Sequence, residues 1–129
     1  MILASGAFDG LHAGHVRYLQ MAKRLGHGQP LHVAVAPDAY IRAEKGREPY
    51  WSQADRMQTV FALACVDEVI PQHDTSVAKT VREKRPTALV KGPDWKGHLP
   101  QDVIDACVDV GARILYTETG GRHVREARG

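Results

Sequence analysis

Cysteine is scarce in this chain, aromatic residues are few, and neither sign of charge dominates. Two cysteines, Cys65 and Cys107, in 129 residues leave nothing from which to build a disulfide framework or a cysteine-rich metal site. Both fall in apolar helical patterns and read as small buried hydrophobes. Lys and Arg number 17 against 15 Asp and Glu, a formal net charge of +2. That balance gives no ground for a wide nucleic-acid or membrane contact, so any cationic site must be local. No run approaches the roughly 18 apolar residues of a membrane span, and no basic segment followed by an apolar stretch opens the chain. The expectation is a soluble cytoplasmic protein that engages neither nucleic acid nor membrane. Internal repeats and low-complexity tracts are also missing, so the length suits a single domain, 1–129, around one hydrophobic core.

Hydrophobic residues still make up 43% of the chain, an ordinary globular share, and their spacing alternates between two kinds of segment. Short, β-rich, continuously apolar runs at 2–5, 31–36, 68–70, 88–90 and 113–116 predict buried strands. Stretches with helical periodicity, at about 15–25, 52–64, 76–83 and 100–110, lie between them. Ser52 with Asp55 three residues on resembles a capping box, Pro100 suits a first helical turn, and Gly111 a C-terminal stop. Strands alternating with helices predict an α/β fold whose parallel sheet is covered on both faces. Ligands of such sheets gather beyond the carboxyl ends of the strands, so the residues after each strand are the candidates for chemistry.

The first exit is the richest. Ser5-Gly6-Ala7-Phe8-Asp9-Gly10-Leu11-His12-Ala13-Gly14-His15 joins the first strand to the first helix. Glycines at 6, 10 and 14 let the backbone turn sharply and approach a ligand. Unpaired amides and the positive end of the helix dipole favour an anion at such a junction. His12 and His15 add imidazole donors at the same corner, which together read as a triphosphate cradle. Donation to non-bridging oxygens is what phosphoryl transfer asks of a protein, and protonated imidazoles would donate more strongly. A zinc site at His12 and His15 is a poor alternative, because no further ligand stands at a suitable spacing.

Residues 6–15 meet every defined position of the G-x-F-D-x-x-H-x-G-H signature, and the chain thereby resembles the cytidylyltransferase-like nucleotidyltransferases. The resemblance extends from residue 2 to about residue 119. It implies that the loop and both histidines hold the phosphates of a nucleoside triphosphate while an acceptor attacks the α-phosphorus. Gly6, Ala7, Phe8, His12, Gly14 and His15 are then the nucleotide's phosphate contacts. Phe8 otherwise packs the turn, and Asp9 either meets the acceptor or orders the loop by accepting backbone hydrogen bonds.

The other exits carry further candidates. Asp38, after the second strand, either hydrogen-bonds an acceptor hydroxyl or caps a turn. Lys45-Gly46-Arg47-Glu48-Pro49 reads as a flexible cationic segment, and Arg56 lies early in the next helix. The resemblance implies that lysine here and arginine there meet the triphosphate and the acceptor's phosphate. Lys91-Gly92-Pro93-Asp94-Trp95 is similar to the K/M-G-x-D-W/Y stretch of glycerol-3-phosphate cytidylyltransferases and heptose-phosphate adenylyltransferases. There Trp95 would stack on a base or cover a ribose, or merely pack its own loop, and Asp94 would accept from ribose hydroxyls. At the last exit, Thr119-Gly120-Gly121-Arg122 stands where the family carries an Ile-Ser-Ser/Thr-Thr-x-x-Arg type sequence. The paired hydroxyls are missing, and Thr119, Gly120 and the Arg122 guanidinium are left as phosphate ligands.

These readings combine into a Rossmann-like domain with a five-stranded parallel sheet in the order 3-2-1-4-5. It would move a nucleotidyl group from CTP or ATP to a polyol or sugar phosphate, Asp94-Trp95 leaning the choice toward CTP. His12, His15, Lys45 and Arg122 would be catalytic. The resemblance implies Mg²⁺ carried on the nucleotide, since no carboxylate cluster would bind it alone, and homodimers are usual in the family. The altered last exit keeps open a second reading, a nucleotide-binding protein or sensor without turnover.

Overall fold

The computed structural model describes residues 1–118. In chain order they form β1 (Ile2–Gly6), α1 (Ala13–Leu25), β2 (Leu31–Val35), α2 (Asp38–Lys45), α3 (Gln53–Phe61), β3 (Glu68–Pro71), α4 (Ala78–Lys84), β4 (Ala88–Lys91), α5 (Gln101–Val110) and β5 (Arg113–Tyr116), with one 3-10 turn at Pro93–Trp95. All four strand pairings are parallel and the order is β3-β2-β1-β4-β5. The fold is the Rossmann-like sheet expected. Its order reverses between β1 and β4, which opens a crevice at their carboxyl ends.

The continuous apolar runs divide their side chains by the period-2 rule of strands. Ile2, Ala4, Leu31, Val33, Val35, Ala88 and Val90 turn to one face, where Tyr18, Leu19 and Ala22 of α1 and Val60 of α3 cover them. Leu3, Ala34 and Leu89 turn to the other, against Ala78 and Val81 of α4 and Val103, Ala106 and Cys107 of α5. Cys107 is buried and Cys65 half-buried, both as free thiols, and burial pushes both thiols up. That suits the inert packing role expected of them. Among the described residues no helix is long and apolar enough to cross a membrane.

Two helices depart from expectation. α3 stops at Phe61 rather than 64, because i→i−3 bonds from Leu63 to Val60 and from Val66 to Leu63 wind the chain into turns before β3. α2 stands where no helix was expected, between the second strand's exit and the cationic segment that begins at Lys45. Only Ile41 of its eight residues is buried, so its amphipathic pattern rests on charged residues and offers no apolar run. Its end is nevertheless marked by Gly46, left-handed at φ 66°, a conformation that favours glycine.

Tyr18 fixes the crevice. The β1–β4 ladder ends with Ala4 opposite Val90, and beyond it the Tyr18 hydroxyl bridges the parting strands. It donates to the Val90 carbonyl at 2.6 Å and accepts from the Ser5 amide at 3.3 Å. The ring is 4% exposed, so neither backbone group has water as a substitute. Tyr18→Phe should therefore cost about 1–3 kcal/mol for the unpaired groups, read as a lowered urea midpoint at unchanged slope. A midpoint that does not move would show the strands closing without the hydroxyl.

Candidate active site

The loop after β1 is held in a conformation that few sequences tolerate. Phe8 has φ 54°, left-handed and uncommon for a bulky residue, and what offsets it is burial: its ring is 3% exposed and joins the core beneath α1. A Cβ on Gly6 would stand 2.9 Å from that ring, so glycine is required there. Phe8 thus packs the turn, with its ring edge-on to His15 at 5.3 Å between centroids. Gly14 belongs to α1 and not to the turn.

His12 is the N-cap of α1. Its Nδ1 accepts from the Gly14 amide at 3.0 Å, and the Nδ1 of His15 accepts from the His12 amide at 3.2 Å. The pair reproduces a capping box with imidazoles in place of hydroxyl and carboxylate. A backbone N–H only donates, so both Nδ1 atoms are acceptors and each neutral ring carries its proton on Nε2. Two Nε2–H donors are thereby built side by side, with ring centroids 3.8 Å apart.

Asp9 and Arg56 stitch the surrounding loops together. The Asp9 carboxylate, 4% exposed, accepts from Arg47 Nη1 at 2.8 Å and from the Tyr50 and Trp51 amides at 2.9 and 3.0 Å. Burial alone would raise its pKa, but the bonds from Tyr50, Arg47 and Trp51 outweigh it and hold the carboxyl below the usual range. Of the two alternatives for Asp9, loop ordering is the one the geometry supports. Arg47 is not part of a flexible segment; it is clamped to Asp9 and stacked over Tyr50 at 4.1 Å.

Arg56 was expected to meet the acceptor, but the structure turns it into the scaffold. Its side chain is 0% exposed. The guanidinium donates to the carbonyls of Trp51 at 2.9 Å and of Ala7 and Ala36 at 2.8 Å each, and to Asp38 Oδ1 at 2.7 Å. Planar and five-donored, it ties the β1 loop, the β2 exit and the start of α2 to one point. Asp38, a third exposed, is its counter-ion, which leaves the acceptor-hydroxyl role for Asp38 without geometric support.

The remaining candidates surround a cleft of about 580 Å³ at the β1/β4 switch, lined by His12, His15, Lys45, Lys91, Asp94 and Trp95 together with the β1 loop. Lys45 ends α2 at its exposed rim. Lys91, at the end of β4, is 7% exposed; its Nζ donates to Ser5 Oγ at 3.0 Å and lies 4.4 Å from the Trp95 ring centroid. Burial pushes the ammonium from 10.5 down to about 8. Ser5 and Tyr40 also line the cleft; Ser5 opened the glycine-rich stretch without being given a role, and Tyr40 drew no attention because it belongs to no charged or glycine-rich pattern. Thr119, Gly120 and Arg122 lie outside the described residues. Among the described residues no group of three His, Cys, Asp or Glu side chains is placed to hold a metal ion.

Comparison with known proteins agrees with this geometry. Residues 3–116 match the family model described as cytidylyltransferase-like. The chain is 39% identical over 125 residues to the bifunctional protein HldE of Chromohalobacter salexigens, covering 93% of this chain and 25% of that protein. To the bifunctional protein HldE of Streptomyces coelicolor it is 44% identical over 125 residues, 96% of this chain and 24% of that one. It thus spans about a quarter of the curated relatives it matches. Among solved structures, the lipopolysaccharide core biosynthesis protein of Thermoplasma volcanium GSS1 superposes with a TM-score of 0.78 at 29% identity, over 93% of this chain and 97% of that one. With a family model matched over most of its length, a five-stranded switch-point sheet and a paired-histidine cradle at the first strand exit, the chain belongs to the cytidylyltransferase-like family.

Proposed function

We propose that the chain transfers a nucleotidyl group from CTP or ATP to a polyol or sugar phosphate. An oxygen of the acceptor's phosphate forms the new bond to the α-phosphorus, the bond from that phosphorus to the β-phosphate oxygen breaks, and pyrophosphate leaves with the electron pair. The acceptor oxygen is already anionic at neutral pH, so no general base is needed. What the reaction needs is position and charge stabilisation, and the observation that carries the reading is the pair of Nε2–H donors fixed by the His12–His15 cap. Lys45 at the rim and Lys91 in the wall offset the phosphate charge. Mg²⁺, which would supply further neutralisation of the phosphates, fits as an ion held by the nucleotide and water, given the donor set of the described residues. A sugar-phosphate acceptor is supported by the structural likeness to a lipopolysaccharide core biosynthesis protein, since saccharide assembly consumes nucleotide-activated sugars.

The test is pyrophosphate release with Mg²⁺, each of the four NTPs being tried against glycerol 3-phosphate and a set of sugar phosphates. Release that requires one NTP and one acceptor is expected. Silence across the set, with NTP still raising the melting temperature, would replace transfer by the binding-only reading that the Thr119–Arg122 departure suggests.

The lowered Lys91 pKa adds a pH dependence. Below about pH 8 the ammonium is charged in both folded and unfolded chains; between about 8 and 10.5 only the folded chain has released the proton. The unfolded state then binds more protons, so Lys91 makes stability rise with pH across that window, while the cleft loses a cation. Affinity for the triphosphate should accordingly fall above pH 8 by as much as about tenfold per unit, in calorimetric titrations from pH 7 to 9.5. Lys91→Met should flatten the fall and, by removing a buried charge, leave the fold intact. Parallel pH profiles for both proteins would remove Lys91 from the site.

A further inference from the structure

The register of the two central strands builds a pair of side chains whose joint chemistry is not used in transfer to an anionic acceptor. β1 and β4 run parallel, with Leu3 opposite Leu89 and Ala4 opposite Val90. Side chains alternate along a strand, so Ser5 follows Leu3 and Lys91 follows Leu89 onto the same face, just beyond the end of the ladder. There Lys91 Nζ donates to Ser5 Oγ at 3.0 Å, Lys91 being 7% and Ser5 5% exposed. The Ser5 amide donates to the Tyr18 hydroxyl, which pins the backbone that carries Oγ. Both side chains border the histidine cleft of about 580 Å³ and an adjoining cleft of about 410 Å³, so a ligand in either space lies against them.

A serine hydroxyl is a weak nucleophile until a neighbouring base takes its proton, and a lysine serves as that base once it is neutral. Paired carboxylates would keep it charged. Those around the two clefts are Asp9 and Asp94 on one side and Glu44 and Asp102 on the other, and among the described residues none forms a salt bridge with Lys91. Lys45 and Arg47, the other cations there, act in the opposite direction, and His12, His15 and His98 add no negative charge. Burial keeps the phenols of Tyr18 and Tyr40 protonated. Burial without a counter-ion also brings the Lys91 ammonium down to about 8, close enough to neutral pH for general-base work.

We propose that Ser5 and Lys91 form a nucleophile–base pair that modifies the chain itself, Ser5 taking the nucleotidyl group from a bound nucleoside triphosphate when no acceptor is present. This rests on the reading that the histidine cleft binds the triphosphate. Ser5 Oγ forms the bond to the α-phosphorus as its proton passes to the lone pair of Lys91 Nζ. The bond from that phosphorus to the β-phosphate oxygen breaks and pyrophosphate leaves with the electron pair. A serine phosphodiester of the nucleoside remains beside an ammonium. An acceptor phosphate is already anionic and needs no base, so it reacts first wherever it is present. The bound triphosphate also draws Lys91 toward its charged form, which makes the serine reaction slow at neutral pH.

The experiment is incubation of the full chain with saturating CTP or ATP and Mg²⁺, without acceptor, from about pH 7 to 9.5, followed by intact mass and peptide mapping. A single nucleotidyl group on Ser5 is expected, with pyrophosphate released in equal amount. The rate should rise about tenfold per pH unit up to a break at or above about 8, while affinity for the triphosphate falls over the upper part of that range. Lys91→Met should slow the modification at least about 100-fold with nucleotide still raising the melting temperature, and Ser5→Ala should abolish it. An adduct on another residue, an adduct that persists in Ser5→Ala, or a rate indifferent to pH and to Lys91→Met would overturn the proposal. So would a wild type that binds nucleotide and stays unmodified. Acceptor-dependent pyrophosphate release from a protein that never labels Ser5 would defeat the pair and leave the transferase reading standing; a Ser5 adduct in a protein that serves no acceptor would do the reverse.

Discussion

His12→Asn is expected to lower turnover by about 10²–10³-fold, the effect of one lost transition-state donor, while the melting temperature moves by no more than about 2 °C. The asymmetry follows from the two nitrogens of one ring. Nδ1 accepts from the Gly14 amide and holds the start of α1, a task for which asparagine is among the best residues. Nε2 carries the proton for the phosphate oxygens, and asparagine has no donor at that reach. His12→Ala removes both and should add about 1 kcal/mol of destabilisation to the same loss of turnover. His15→Ala should resemble it, because His15 Nδ1 accepts from the His12 amide. Pyrophosphate release and thermal melts on the three variants separate the functions. Near wild-type turnover in His12→Asn would mean that the imidazoles are caps and nothing more, and would return the reaction to the loop amides and lysines.

The same dual use explains what was legible beforehand. The strands and their parallel arrangement follow from short apolar runs set between helical stretches, because burial on both faces writes itself directly into composition; their order, and with it the switch point, came with the family resemblance. The cradle was legible for a different reason: ten consecutive residues perform local chemistry, so their spacing is the site. What escaped was whatever depended on contacts between distant residues. Arg56 and Ala7 are 49 positions apart, and Asp9 and Trp51 are 42 apart; an arginine near a phosphate site reads the same whether it points at ligand or at carbonyls. α2 escaped because it is short and buries a single residue, Ile41, so its periodicity is carried by charged side chains and not by an apolar run.

Arg56 provides the clearest separation between a ligand contact and a scaffold. Arg56→Met keeps the buried stem but withdraws every donor, leaving the Asp38 carboxylate and the carbonyls of Ala7, Ala36 and Trp51 without their partner. Breaking a buried charged network in this way costs about 3–5 kcal/mol, which for a domain of this size corresponds to roughly 10–20 °C in melting temperature. Arg56→Lys should fall between, because an ammonium has three donors in a geometry that does not match four partners spread around a planar fork. A residue that bound the acceptor would behave in the opposite way, since burying its charge only in the complex would leave the free protein as stable without it. Denaturation of the unliganded variants therefore decides: a wild-type midpoint for Arg56→Met, with weakened sugar-phosphate binding, would restore Arg56 to the substrate. A lowered midpoint would place it among the residues that hold His12, Asp9 and Asp38 in register. Those loops start from three different strands or helices, and Arg56 bonds to the β1 loop, the β2 exit and α2 together, so loosening it should disorder the cradle before it unfolds the sheet.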